Sequence, residues 1–404
     1  MSVYLKQDEP DNANRLDNMR QGVLGTDASR IEGLLKVTGT APYAAEYQLD
    51  DCLEGVIVTA TIPKGEVTRI DADSVLSMPG VVTVIDDPAL IARPAQGTAG
   101  EAPEQPARKV GYFGQPIALV VAETFEQARD AAKHLSVSYR EDDDAAFDPE
   151  AVEAETKDGA TSQGDLAHAM KVAAASVDQT YRTEGHSSAA MEPHAAIAQW
   201  DGDTLTVYAS LQMLNYNISE LADSLGLDED KVRLVSRYVG GGFGSKLGIS
   251  EETVAASVAA MKLERPVRVA MLRQQVLQCI MRRSETRQRF RLTADEDGKL
   301  TGFGHEARVS NLPGESFAEP VLQSSHFLYA GENRELSMEV ARIHRMTAGS
   351  VRAPGEAVGM PALECAMDVL AEKCGVDPVE LRLRNIPDRH PANGTPFSSH
   401  KLAE

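Results

Sequence analysis

Apolar and polar positions show no regular spacing over residues 1–28, which are mostly polar and read as an arm that orders on a partner. From Arg30 the pattern changes. Leu53–Ile62 is rich in β-branched residues and ends at Pro63-Lys64-Gly65, which predicts a strand closed by a turn. Met78-Pro79-Gly80 turns the chain into a second short strand, residues 81–85. Gln115–Glu123 is a nearly unbroken apolar run, the pattern of a buried strand. Thr124 with Gln127 three residues later forms a capping box. Phe125, Ala128, Ala132 and Leu135 fall on one face of the helix it would open. Leu135–Tyr139 returns to strand, and the acidic run Glu141–Asp144 closes the unit. Strand, helix and strand in this order predict an α/β domain over residues 29–143, interrupted by a Pro/Gly/Ala-rich loop at 93–108.

Residues 144–164 read as a polar linker, and a larger α/β region fills 165–404. Asp201-Gly202 turns into a strand at Thr204–Ala209. Ile218, Leu221 and Leu225 form a helical stripe stopped by Gly226. Lys231–Val239 alternates as a half-buried strand, and Ser250 opens a helix that runs to Leu263 before Pro266. Leu363, Met367, Leu370, Ala371 and Cys374 line another helix, stopped by Gly375. Asp377-Pro378-x-Glu380 starts one more, with cap, proline and acid in their preferred places.

Composition narrows the functional classes. Lys and Arg number 40 and Asp and Glu 61, a formal charge of −21, which argues against a partner recognised through its phosphate backbone. A length of 404 residues suits two or three domains and a large core without staples. No apolar run is long enough to span a membrane, and the first residues lack an apolar export region. A cytoplasmic address is expected, with a periplasmic one only if a signal-bearing partner carries the chain out. Cys52, Cys279, Cys365 and Cys374 form no Cys-x-x-Cys pair, so neither a disulfide scaffold, a zinc ribbon nor an iron–sulfur cluster held by this chain alone is expected.

Three groups of residues could carry chemistry. The sharpest is Val239-Gly240-Gly241-Gly242-Phe243-Gly244-Ser245-Lys246, between a strand and a helix, where backbone N–H groups can approach an anion or a planar cofactor closely. Its spacing is neither the dinucleotide fingerprint nor a Walker loop. On composition alone it is as readily a structural turn as a ligand loop. The second is Arg352-Ala353-Pro354-Gly355-Glu356, where a stiffened turn can present a guanidinium to an oxyanion, or merely precede a helix. The third, Met191-Glu192-Pro193-His194, reads first as a structural turn. No Gly-x-Ser-x-Gly elbow supports a hydrolase using Ser187, His186 and Glu184, and no His-x-x-x-His pair supports a zinc site.

Taken together and in order, these features resemble the molybdenum-cofactor subunit of the xanthine dehydrogenase/aldehyde oxidase family, in its bacterial aldehyde-oxidising form. The resemblance runs from Arg30-Ile31-Glu32-Gly33 and Lys36-Val37-Thr38-Gly39-Thr40-Ala41-x-Tyr43 through Gly114-Gln115-Pro116 and Met191–His194. It continues through Gln212, the Gly240–Lys246 loop, Arg352–Glu356, and Asp377–Arg382 with Asn385. It implies an α/β (α+β) chain: an a/b hammerhead domain over 29–143, then the first part of a molybdopterin-binding domain over 165–404. It further implies that Gly241, Gly242, Phe243 and Gly244 approach the metal end of the pterin with backbone amides. Gln212 would donate to an oxo ligand, and Arg352 would lie beside the metal. The ligands would be pterin sulfurs, so no side chain would bind molybdenum directly, which fits the missing His/Cys cluster.

The implied cofactor is molybdenum–molybdopterin, with or without a cytosine dinucleotide tail. A 2Fe-2S subunit and an FAD subunit would carry electrons away, and the substrate would be a small molecule. Purine-oxidising members carry an acid where Leu247 stands and a Phe where Pro354 stands, which points to an aldehyde, or an N-heterocycle, as the substrate of oxidative hydroxylation. Family subunits continue for nearly as long again, and the general-base Glu lies in that part, beyond residue 404. Neither Glu356 nor Glu364 takes its place. A further chain would therefore supply the C-terminal half. The alternatives are a truncated, catalytically silent module without molybdenum and, more weakly, a nucleotide-binding protein that uses the glycine loop.

Overall fold

A computed structural model describes residues 26–90, 108–157 and 159–403, so nearly all of the expected arm and of the 93–108 loop lies outside the described residues. The first segment forms α1 (Gly33–Val37), β1 (Leu53–Thr59), β2 (Gly65–Asp71), α2 (Asp73–Leu76), β3 (Val81–Ile85), β4 (Lys109–Val110), β5 (Pro116–Ala122), α3 (Phe125–His134) and β6 (Ser136–Glu141). The middle of the chain forms β7 (Ala154–Thr156), β8 (Thr161–Gln163), α4 (Leu166–Val172), β9 (Ala175–Thr183), β10 (His186–Ser187), β11 (Ala195–Trp200), β12 (Leu205–Ala209), α5 (Leu214–Leu225) and β13 (Val232–Val235). The remainder forms α6 (Glu251–Leu263), β14 (Val267–Ala270), α7 (Arg273–Cys279), β15 (Arg282–Arg283), β16 (Thr286–Ala294), β17 (Leu300–Asn311), β18 (Asn333–Arg342), α8 (Glu356–Cys374) and α9 (Pro378–Asn385).

The two expected units share one sheet. Its order is β13-β12-β11-β14-β1-β5-β3, and β1 joins β14 in parallel with Leu53 opposite Val267. The cause is double-sided burial. Every residue of β5 is buried; Leu119 and Val121 pack toward α6, while Ala118, Val120 and Ala122 pack toward α3 and its neighbours. A strand apolar on both faces needs a helix on each. The capping box that sets the start of α3 is present, with Gln127 N–H donating to Thr124 Oγ1 and Thr124 N–H to Gln127 Oε1. Helix α6 is buried from Glu251 to Ala260, as an inner helix must be. A smaller sheet, β4-β2-β6, completes the first segment.

A second sheet runs β7-β18-β17-β16-β9, with β8 also on β18. Helix α8 closes it, packing Leu363, Met367 and Leu370 against a core that includes Phe290, Leu292, Phe303 and Val340. Residues 144–164 are thus not a bare linker. Two short stretches of it form β7 and β8 and satisfy the open edge of β18 through backbone bonds, so their polar side chains can stay largely exposed. The ribbon β10–β15 and the bridge Arg282–Ala348 join this sheet to the segment before α8.

The first sheet places the glycine loop. β12 and β13 are parallel, so both end at the same edge of the sheet, where β11 begins. Ligands of open α/β sheets bind at such carboxyl ends. The strand expected over Lys231–Val239 stops at Val235. At Ser236 the chain leaves the ladder, and the Ser236 hydroxyl takes the Leu211 N–H at 3.1 Å instead. The rest of that stretch leads into the loop.

Candidate functional site

Three segments meet at this edge: Ser210–Gln212 after β12, Gly240–Lys246 after β13, and Arg352–Gly355 before α8. The last two are joined backbone to backbone, since Arg352 N–H donates to Phe243 O at 2.8 Å. Close approach explains the glycines. A Cβ on Gly244 would lie 1.8 Å from Ser350 O, and one on Gly242 would lie 2.2 Å from Gln212 Oε1. Gly241 and Gly244 also have φ of +100° and +99°, in the region that side chains avoid. Phe243 and Ala353 hold positive φ without being glycine, at 53° and 56°, so backbone strain is present where loop and turn touch.

The loop's amides divide into two sets. Gly240 N–H donates to Glu192 Oε2 at 2.7 Å, while Gly244 N–H and Lys246 N–H donate to Gln212 Oε1 at 3.1 and 3.3 Å. The N–H groups of Gly241, Gly242 and Phe243 have no acceptor among the described residues. Gln212 is fixed as well. Its oxygen faces two donors, so its NH2 is the outward end, without a protein partner among the described residues. The Arg352 side chain is exposed, its guanidinium 5.9 Å from the centre of the Phe243 ring. Of the six residues expected to face the cofactor, Gln212, Gly241, Gly242, Phe243 and Arg352 sit together with donors free of protein acceptors among the described residues; Gly244 departs from that expectation. Gly244 shapes the loop but gives its own N–H to Gln212.

Behind the loop lies a buried group that sequence reasoning passed over. Glu192, read as part of a structural turn, accepts from Ser210 Oγ at 2.7 Å and from Lys246 Nζ at 3.0 Å. Lys246 is 1 % exposed and also donates to Glu192 O and Ser210 Oγ. Burial pushes the Glu192 carboxyl up, but the Ser210 and Gly240 donors and the Lys246 ammonium outweigh it and hold it below the usual range. Burial pushes the Lys246 ammonium down, against the pull of Glu192. The pairing spans 54 residues, so no local spacing could have signalled it. Neighbouring His194 is buried too, its Nε2 facing Ser245 O at 3.1 Å.

The Arg352 turn has its own support. Arg283, 3 % exposed, forms an ion pair with the fully buried Glu319 and donates to the carbonyls of Val351, Arg352 and Ala353. Glu319 accepts from Gly355 N–H at 2.7 Å. Glu356 begins α8, and Glu364 accepts from Tyr329 and Arg382, so both have structural roles.

The donor set has a definite chemistry. It combines backbone amides, one carboxamide and one guanidinium, and it contains no side-chain metal ligand. Among the described residues no group of three or more His, Cys, Asp or Glu is placed to hold a metal ion, and no helix is long and apolar enough to cross a membrane. A cofactor that brings its own ligands to the metal fits such a cradle; a side-chain-ligated ion does not.

Comparison with known proteins agrees with the geometry. Residues 148–386 match the family described as "Molybdopterin cofactor-binding domain", and residues 38–143 match "Aldehyde oxidase and xanthine dehydrogenase, a/b hammerhead domain". The chain is 40 % identical over 412 residues to the aldehyde oxidoreductase molybdenum-binding subunit PaoC of Escherichia coli K12, covering 99 % of this chain and 55 % of that one. It is 26 % identical over 382 residues to the nicotinate dehydrogenase large molybdopterin subunit of Eubacterium barkeri, covering 90 % of this chain and 89 % of that one. The solved aldehyde oxidoreductase of Desulfovibrio gigas superposes with a TM-score of 0.80 at 27 % identity, over 93 % of this chain and 45 % of that one. The chain thus spans about half the length of the aldehyde oxidoreductases and nearly all of the nicotinate dehydrogenase subunit. With both of its domains matched in order, the chain belongs to the aldehyde oxidase/xanthine dehydrogenase family, as an a/b hammerhead domain followed by a molybdopterin cofactor-binding domain.

Proposed function

We propose that this chain cradles the metal end of molybdenum–molybdopterin in a molybdenum hydroxylase that oxidises an aldehyde. The row of free amides at Gly241, Gly242 and Phe243, between Gln212 and Arg352, carries the reading. When bound, the cofactor supplies two-electron oxidation of an electrophilic carbon with transfer of an oxygen atom. The residues here bind and orient. The amides approach the cofactor without intervening side chains. Gln212 donates through its NH2, because its oxygen is committed to the loop. Arg352 presents a positive charge beside the site from a backbone held by Phe243, and the Phe243 ring lines one side of it.

Leu247 and Pro354, with the resemblance to PaoC, favour aldehydes over purines. No carboxylate of these segments is free to act as base: Glu192 is committed behind the loop, and Glu319 is enclosed with Arg283. The base belongs to the remainder of the enzyme. A relative of similar extent named a large molybdopterin subunit supports a second chain as its source. Exposed apolar side chains around the site, Met191, Met213, Tyr216 and Phe243, would be covered there. Electrons would leave through 2Fe-2S and FAD groups on partner subunits. Nothing in the fold favours the silent module.

The test is turnover by the assembly isolated from its own host, with an aromatic aldehyde and a dye acceptor. Dye reduction with the aldehyde and none with xanthine is expected. Xanthine oxidation without aldehyde oxidation would overturn the substrate class.

A further inference from the structure

Glu192, Lys246 and Ser210 lie behind the glycine loop and do not face the free amides. From their geometry we infer that this buried trio is a latch selecting which loop amides point outward, which makes Glu192 and Lys246 positioning residues for the bound pterin. The inference rests on the pterin reading above.

One atom gathers the contacts. Glu192 Oε2 accepts from Gly240 N–H at 2.7 Å, Ser210 Oγ at 2.7 Å and Lys246 Nζ at 3.0 Å. The first and last residues of the loop are therefore strapped to a single carboxylate oxygen. Glu192 Oε1 takes the Ala44 N–H at 3.3 Å, which extends the strap to the chain's first segment. Glu192 also approaches so closely that a Cβ on Gly240 would lie 2.5 Å from its own Cβ. Opposite, Gln212 Oε1 takes the amides of Gly244 and Lys246. With both ends consumed, only the three middle amides remain.

A buried ion pair is a poor device for stability alone, because an apolar pair of similar volume is often as stable or more so. An apolar pair offers no acceptor to Gly240, however, and that acceptor turns the loop's first amide inward. This is a use of the pair that packing cannot replace.

The test compares the unsubstituted chain with the double variant Glu192→Met/Lys246→Met and with Ser210→Ala, each in the assembly recovered from its host. Molybdenum per chain, visible circular dichroism and amide exchange at Gly240–Lys246 are recorded. The double variant is expected to keep its melting temperature within a few degrees while molybdenum per chain falls about tenfold and the Gly240 amide exchanges at least tenfold faster. A folded double variant with unchanged molybdenum, spectrum and exchange would overturn the latch. If the double variant does not fold, Ser210→Ala decides. A shifted spectrum with faster Gly240 exchange supports the latch, and no change overturns it. If the unsubstituted chain holds no molybdenum, the pterin reading falls, and exchange at Gly240 alone then judges the latch.

Discussion

Arg352 has no hydrogen bond from its side chain to the described residues, although its backbone N–H donates to Phe243 O. Stability and function should separate at this residue. Arg352→Gln is expected to change stability by no more than about 0.5 kcal/mol, as an exposed side chain without partners should. Turnover by the assembled enzyme should fall ten- to a hundredfold, since one charge-assisted donor is worth about 1.5–3 kcal/mol. Paired thermal melts and initial rates check this; a collapsed melt would show that Arg352 props up the fold. Arg352, Gln212 and the glycines were legible in the sequence because their types and order carry the family pattern. Glu192 and Lys246 were not, because their meaning lies in a contact between distant segments.

Elements show the same division. Runs and caps made β5 and α3 legible, since a continuous apolar stretch and a Thr-x-x-Gln box are local facts. The second sheet went unread, although Arg287, Arg289 and Arg291 alternate with Gln288, Phe290 and Leu292 in β16. Its strands obtain their pairing from neighbours far along the chain. The Arg283–Glu319 pair beneath the Arg352 turn is equally non-local. Arg283→Met leaves a carboxylate sealed from water without its cation, so a loss of about 3–5 kcal/mol is expected in denaturant unfolding. An unchanged midpoint would show that the pair does not hold the turn. In the same sheet, His305 is fully buried, stacked 4.0 Å from Phe290, with Nδ1 against Ser325 Oγ. Burial, helped by His326, pushes its pKa down to about 3. The unfolded chain therefore binds a proton below about pH 6.5 that the folded chain refuses, and stability falls as pH drops from there toward 3. His305 alone should contribute a loss of about 2 kcal/mol between pH 7 and 5. His305→Asn, which keeps a polar group near Ser325 but does not titrate, should remove that share. An identical pH slope in the variant would contradict the assignment.

On the scale of the whole molecule, the two domains are bound together by a common sheet, and the site sits where its parallel strands end. That arrangement was only half legible. The sequence separates the domains at their polar stretches, but β1 and β14 are brought together by burial on both faces, a property of the assembled layers. In the proposed function the cradle supplies donors and leaves ligation to the cofactor. The measurement that tests it most directly is molybdenum counted per chain in the assembly drawn from its own host by mild affinity capture, with partner masses recorded. About one molybdenum per chain, lost on unfolding together with a pterin, is the predicted result. A complete assembly with no molybdenum or pterin would contradict the account.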